Sequence, residues 1–298
     1  MIVRKKHTVE EHVLYPSYYF SHIEITKDID YNFFNSNENM DDYDKFIKTY
    51  GKKYSILQYN FNNYEIFSEP EILDPECEYV YVTDNPDLRS NKWKIIVDPD
   101  LEGLSPFDKC YRVRYNLFKY CTTPVCIYID AAIRIFKSLR WLYNEFENSN
   151  ADIGLNIHPV RNKITDEYDA WVIRDKKYSE EKEKVLKYMA DHNYDFDYKG
   201  LYQGTMRICR NTELNRKIDS AVLNTMLEIQ NNPIVRVTQT IYSYILNSMF
   251  NDISVYPIKS ETFFTEYMYR YNHGSNARSP AWWSNPNALY LFNEKLYI

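Results

Sequence analysis

The chain has 298 residues, enough for one large α/β core, and a net charge of −6 from interspersed acidic and basic residues. No dense basic patch is present to neutralise a phosphate backbone, which speaks against general nucleic-acid binding. No apolar run approaches bilayer length and no signal-peptide pattern opens the chain, so the expected location is cytoplasmic, with at most peripheral contact at the inner membrane face.

Residues 1–50 are polar, aromatic and irregular. They are expected to form an N-terminal extension, with a short helix near Met40–Tyr50 ended by Gly51, ahead of a main domain over 51–298. The core pattern begins with three short β-rich runs, Tyr54–Tyr59, Tyr79–Thr83 and Trp93–Val97. The second stops at Asp84-Asn85-Pro86 and the third at Asp98-Pro99. Pro106–Tyr120 reads as a helix with Ser105 as its N-cap. Val125–Ile129 is almost wholly apolar, as a strand covered on both faces must be, and it ends at Asp130. A helix over Ser138–Phe146, a strand over Ile153–Ile157, a charged helix over Ser179–His192 and a strand over Gly204–Ile208 follow. Helices over Leu214–Gln230 and Val235–Met249 come next, and a loop-rich aromatic tail runs from Thr262 to Ile298. This alternation predicts an α/β fold with a mainly parallel sheet flanked by helices.

Five cysteines lack a metal-ligand spacing and read as buried thiols in a reducing compartment. The 30 tyrosines suit half-buried grooves, although an AT-rich genome also produces such a composition. With only six glycines, each is expected at a demanding backbone position.

Open parallel sheets bind ligands beyond the carboxyl ends of their strands. Asp84 and Asp130 stand at such ends, where a carboxylate needs a partner such as a metal ion or a hydroxyl, unless it caps the next helix. Arg112 and Arg114, on the helix before the Asp130 strand, are candidates for phosphate recognition or for a solvated helix face. In the tail, His273-Gly274-Ser275-Asn276-Ala277-Arg278 combines a metal-capable imidazole, a flexible glycine and a fixed cation, which suits a metal-bound diphosphate.

Several ordered segments resemble a glycosyltransferase-like family long catalogued as a domain of unknown function, found in bacterial polysaccharide clusters and plant wall and mucilage proteins. They are Asp74–Tyr79 leading to Thr83-Asp84-Asn85, Trp93–Ile96, Arg112-Val113-Arg114, Tyr128-Ile129-Asp130-Ala131-Ala132-Ile133, His158–Asn162 and Gly200–Gln203. The tail segment from His273 to Trp282 more loosely resembles the His/Gly/Lys-Pro-Trp segment of glycogenin-like transferases, with Arg278 in place of the lysine.

The resemblance implies a GT-A fold, in which a Rossmann-like nucleotide-binding half merges with an acceptor-binding half. It also implies transfer of a sugar from a nucleotide-sugar donor, with uridine diphosphate the expected carrier, to a glycan or lipid-linked acceptor. By the same resemblance the Tyr59-Asn60…Tyr64 loop and Asp84 meet the base and ribose, and Arg112 and Arg114 lie near the nucleotide or donor sugar. Asp130 opens the Asp-x-Asp motif and, with His273, holds Mn²⁺ or Mg²⁺. His158, Arg161, Glu167 and Gln203 line the donor-sugar and acceptor side, where Glu167 and Asp166 are candidate bases. The chain departs from the family at Ala131-Ala132, where a usual metal ligand is missing, at Val237-Thr238-Gln239, and at Gln203, where a Glu is common. Two other readings therefore stay open at this point. One is a weakened nucleotide-sugar or glycan-binding protein; the other is an assembly protein with a tyrosine-rich surface.

Overall fold

The computed structural model describes residues 51–230 and 234–278, so the N-terminal extension and the Trp282-Trp283 tail lie outside the described residues. A seven-stranded sheet forms the centre, in the order β3-β2-β1-β4-β7-β6-β8. Its strands are β1 (Tyr54–Asn60), β2 (Cys77–Thr83), β3 (Lys94–Ile96), β4 (Val125–Ile129), β6 (Ile153–Ile157), β7 (Tyr202–Arg210) and β8 (Val255–Ile258). All neighbours are parallel except β7, which runs antiparallel to both β4 and β6. The helices are α1 (Pro106–Arg114), α2 (Arg140–Ser149), α3 (Ile164–Arg174), α4 (Tyr178–Asp191), α5 (Glu213–Ile229) and α6 (Thr238–Met249). A separate two-stranded ribbon pairs β5 (Ile133–Ile135) antiparallel with β9 (Met268–Arg270).

The fold is thus the helix-flanked α/β sheet that the sequence predicts. Every residue of β1 and β4 is buried, as expected for strands covered on both faces. Alternate residues feed two cores: Leu57, Tyr59, Cys126 and Tyr128 enter one, while Ile56, Ile127 and Ile129 enter the other. The polar side chains inside β1 are satisfied. Ser55 donates to Glu78 at 2.7 Å, and the Gln58 amide donates to the Ile133 carbonyl at 2.7 Å. Of the five free cysteines, those at 77, 121, 126 and 209 are buried as expected, while Cys110 is only half-buried.

Helix α1 starts as its sequence dictates, with Pro106 in the first turn and the Ser105 hydroxyl accepting the Asp108 N–H at 3.2 Å. It ends at Arg114 rather than near Tyr120. Asn116 leaves helical geometry at φ −151°, and a 3₁₀ turn over Leu117–Lys119 then buries Leu117. The break leaves the Arg114 carbonyl free to accept from the buried Arg207 guanidinium, a side-chain cap on the negative end of the helix. The structure also contains α3, β5, β8 and β9, which the periodicity reading does not find.

Strand order positions the site. From β1 the chain moves outward through β2 and β3, then returns to the other side of β1 as β4. The direction of winding reverses between β1 and β4, so their carboxyl ends diverge and leave a crevice. Asn60 and Asp130 stand at those two ends. The β5–β9 ribbon lies beside them, tied by hydrogen bonds from Gln58 to Ile133 and from the Tyr271 N–H to the Ala132 carbonyl at 2.7 Å.

Candidate functional site

Asp130 leaves β4 into a tight turn, in which its carbonyl accepts the Ile133 N–H at 2.9 Å. It caps no helix. Its Oδ1 accepts from Arg114 Nη2 at 2.9 Å and from the Tyr128 hydroxyl. Its Oδ2 accepts no hydrogen bond among the described residues, and the side chain stays 31% exposed. One oxygen is therefore anchored while the other is presented to the crevice.

The anchor is itself well held. Arg114 projects from the last turn of α1 and also donates to the Tyr128 hydroxyl at 2.7 Å, with its guanidinium 5.0 Å from that ring's centre. The Tyr128 and Tyr59 hydroxyls share a hydrogen bond of 2.9 Å, and the two rings stack at 5.4 Å. Burial raises the pKa of both phenols despite the nearby Arg114 charge, so both stay neutral donors. Gly204 permits this packing: a Cβ there would lie 3.0 Å from Arg114 Nη1.

On the β1 side, the Asn60 side chain spans the next loop, donating to the Glu65 carbonyl at 2.8 Å and accepting its N–H at 2.9 Å. Asn62 and Asn63 take the left-handed conformation that the turn demands. The loop presents Tyr64, 63% exposed, with its ring 5.5 Å from the His273 imidazole. Glu65 bonds His273 Nδ1 and accepts the Gly274 N–H at 3.0 Å. The tail and the β1 loop, far apart in sequence, thus share one edge of the crevice. Asp84, after β2, accepts the Asn62 N–H at 2.9 Å and Lys109 Nζ at 2.9 Å. Burial alone would raise the Asp84 pKa, but Lys109 and the Asn62 N–H outweigh it and hold the carboxyl below its usual range.

A second polar cluster lies deeper. His158 is buried; its Nδ1 accepts the Arg161 N–H at 2.9 Å, and its Nε2 lies 3.1 Å from Arg161 Nη2 and 3.4 Å from Glu167 Oε2. Burial, and then the Arg161 charge, push the His158 pKa well down, so the ring is neutral. Glu167, on α3, is 1% exposed with both oxygens engaged. Oε2 meets Arg161, and Oε1 accepts from Trp171 at 2.7 Å and from Gln239. Both oxygens are engaged in a buried setting, so Glu167 anchors its neighbours. Gln239 also accepts the Gly204 N–H at 3.3 Å, joining this cluster to the Arg114 side. Gln203, Gly204, Gln239 and Arg114 share a cavity of about 20 Å³, room for one water molecule.

Two expected residues are not brought to the crevice. Arg112, two positions from Arg114 on one helix, points away and lines a surface cavity with Asp100 and Arg216. Arg278 packs its guanidinium 4.7 Å over the Tyr269 ring and lines another cavity with Glu71 and Lys137. The structure adds Glu65, Lys109, Tyr128, Gln239 and Arg270. Arg270 had a signal: Tyr267-Met268-Tyr269-Arg270-Tyr271 alternates as a strand does, placing Met268 and Arg270 on one face.

The Mn²⁺ or Mg²⁺ implied by the resemblance finds a poor donor set. Asp130 Oδ1 is committed to Arg114 and Tyr128, His273 Nδ1 is committed to Glu65, and the motif's second ligand position is the apolar Ala132. Among the described residues no three His, Cys, Asp or Glu side chains converge. The side chains present do not fit a metal site of their own. No helix among the described residues is long and apolar enough to cross a membrane.

No family model matches the sequence, and no curated protein matches it. Among solved structures, the chain is similar to mouse xyloside xylosyltransferase 1 in its apo form. The identity is 10% and the TM-score 0.42, over 81% of this chain and 92% of that one.

Proposed function

We propose that the chain is a glycosyltransferase that moves a sugar from a uridine diphosphate sugar to a glycan or lipid-linked acceptor. The observation that carries this reading is Asp130, a half-anchored carboxylate with a free oxygen at the winding reversal of the sheet. Arg114 and Tyr128 hold its orientation in advance, so an incoming hydroxyl meets an acceptor that needs no reordering. Tyr64 and Asp84 flank the same crevice: the ring offers a stacking face to the base, and the carboxylate offers acceptors to the ribose.

In the proposed reaction the bond between the donor's anomeric carbon and the diphosphate oxygen breaks through an oxocarbenium-like transition state, and the nucleoside diphosphate departs with the electron pair. The acceptor oxygen bonds to the anomeric carbon and its proton passes to the departing diphosphate. Asp130 Oδ2 orients a donor hydroxyl, and Gln203 lines the sugar side. Glu167 acts as a positioning residue, fixing Arg161, His158 and Gln239. A binding protein that holds the donor without transferring it is the second reading, favoured by Ala132 at the motif's ligand position.

A thermal-shift screen of nucleoside diphosphates and their sugars separates the cases. A ligand at a hundredfold excess over its Kd stabilises by about 2.7 kcal/mol, a rise of about 5 °C or more for a chain of this size. A rise accompanied by donor hydrolysis or transfer supports the enzyme, and a rise without either supports the binding protein. If no nucleoside diphosphate raises the melting temperature, both readings fail.

Gly204→Ala tests the packing behind the site. The added methyl pushes against the guanidinium end of Arg114, which can shift by a few tenths of an ångström, so stability falls by only about 1 kcal/mol, while misplacement of the anchor lowers donor turnover by about tenfold or more. Melting and hydrolysis measured on one preparation check this, and unchanged turnover would remove Arg114 from the argument.

A further inference from the structure

Arg270 has a setting unlike the other arginines of the site. In the β5–β9 ribbon it pairs with Ile133, and on its own strand it lies two residues from Met268. Ile133 and Met268 are fully buried, so strand alternation turns Arg270 inward with Met268, away from the outer face where Arg134 and Arg278 stack on Tyr271 and Tyr269. Burial is the largest influence on its guanidinium and lowers its pKa, while Asp130 and Glu65 lie close enough to favour the charge in part. Yet among the described residues its side chain makes no hydrogen bond and no ion pair within contact distance.

A guanidinium cannot shed its proton in a protein, so a half-buried one keeps its charge and its five donors. None of its nitrogens is sealed from water, so the donors are solvated, and a ligand that accepts from them takes the place of that water. The position matters as much as the donors. A cation between the carboxylate after β4 and the β1 loop stands where the resemblance places a divalent metal, for which the side chains present supply no adequate donor set.

We propose that Arg270 takes the metal's electrostatic role, binding the diphosphate of the donor directly and stabilising it as a leaving group. The proposal rests on the glycosyltransferase reading and deepens it. Asp130 and Glu65 favour its charge without contacting it, and its N–H groups are free to fork onto two phosphate oxygens. Diphosphate affinity is then largely independent of divalent cations.

Titration calorimetry with inorganic pyrophosphate and with UDP, each in EDTA and in Mn²⁺, tests this on the full chain. Wild type is expected to bind both probes in EDTA, with Mn²⁺ changing affinity by less than about threefold. Arg270→Met should weaken both probes by about tenfold or more, the loss of one or two charge-assisted hydrogen bonds, with no fall in melting temperature. Arg278→Met, on the outer face, should bind as wild type. If Arg270→Met fails to fold, Arg270→Lys decides, because an ammonium keeps the charge but cannot fork; weaker binding with an intact fold supports the proposal and unchanged binding overturns it. UDP binding that vanishes in EDTA, returns with Mn²⁺ and ignores Arg270→Met overturns the metal-replacing role alone. Failure of both probes to bind wild type under both conditions overturns the glycosyltransferase reading as well.

Discussion

Asp130→Asn is expected to lower donor turnover by about 10²–10³-fold while leaving the melting temperature within a few degrees of wild type. The amide has the carboxylate's shape, and its oxygen still accepts from Arg114 and Tyr128, so the packing around the anchor survives. What changes is the crevice side, where the free Oδ2 becomes an NH₂ group that can only donate. A preorganised acceptor turned into a donor repels the hydroxyl it should orient, and the charge that holds Arg114 is lost. Asp130→Ala separates the two effects. It removes both oxygens and leaves the Arg114 and Tyr128 donors short of an acceptor in a mostly buried place, which costs about 1–3 kcal/mol on top of the lost turnover. Melting curves and hydrolysis rates for the pair of variants check the prediction. Turnover by Asp130→Asn close to wild type would make this carboxylate a structural ion-pair partner, and the enzymatic reading would lose its centre.

The strands were the legible part of this fold, and the reason is burial. Val125–Ile129 and Ile153–Ile157 have apolar or small residues at nearly every position, and they stand in the structure with the bounds their sequence suggests. The unread elements are those whose pattern is short or polar. β5 is the three-residue Ile133-Arg134-Ile135, with one period of alternation and a partner about 135 residues away, so only the tertiary structure defines it. Helix α3 buries Glu167 beside Ile164 and Tyr168, and a carboxylate at a core position masks the apolar face that would announce a helix. At the site, residue chemistry singled out Asp84, Asp130 and His273 because strand ends and loop tips are visible in sequence, whereas Tyr64 came from the resemblance and its meeting with His273 was not foreseen. Direction was not visible. Arg112 and Arg114 are equivalent as letters, and the helical turn between them sends one to the crevice and the other to the opposite surface. Glu65 escaped for a related reason, since its partners lie at the far end of the chain.

Arg207→Met is expected to be the most destabilising single change, at about 3–5 kcal/mol and about 5–8 °C in melting temperature. Arg207 is buried on β7, forms a two-armed ion pair with the buried Asp219 of α5, and caps the Arg114 carbonyl. Its guanidinium also packs 5.4 Å from the Tyr115 ring and 5.3 Å from the Tyr242 ring. Methionine fills much of the stem volume but leaves a buried carboxylate with no counter-charge. The pH dependence identifies the cause. Burial already raises the Asp219 pKa, with Arg207 pulling it back down; without Arg207 it rises further. Between the unfolded and folded pKa values the native state then binds more protons than the unfolded state, so stability falls as pH rises through that window and recovers as pH falls. The variant should therefore lose less stability relative to wild type in mild acid than at neutral pH, whereas a simple packing defect would cost the same at both. The double variant Arg207→Met/Asp219→Leu removes the stranded charge and should regain most of the loss, because an apolar pair can replace a buried ion pair at little cost. Its turnover should stay low even when its fold recovers. The cap on the Arg114 carbonyl is gone in both variants, and the last turn of α1 that aims Arg114 at Asp130 is free to fray.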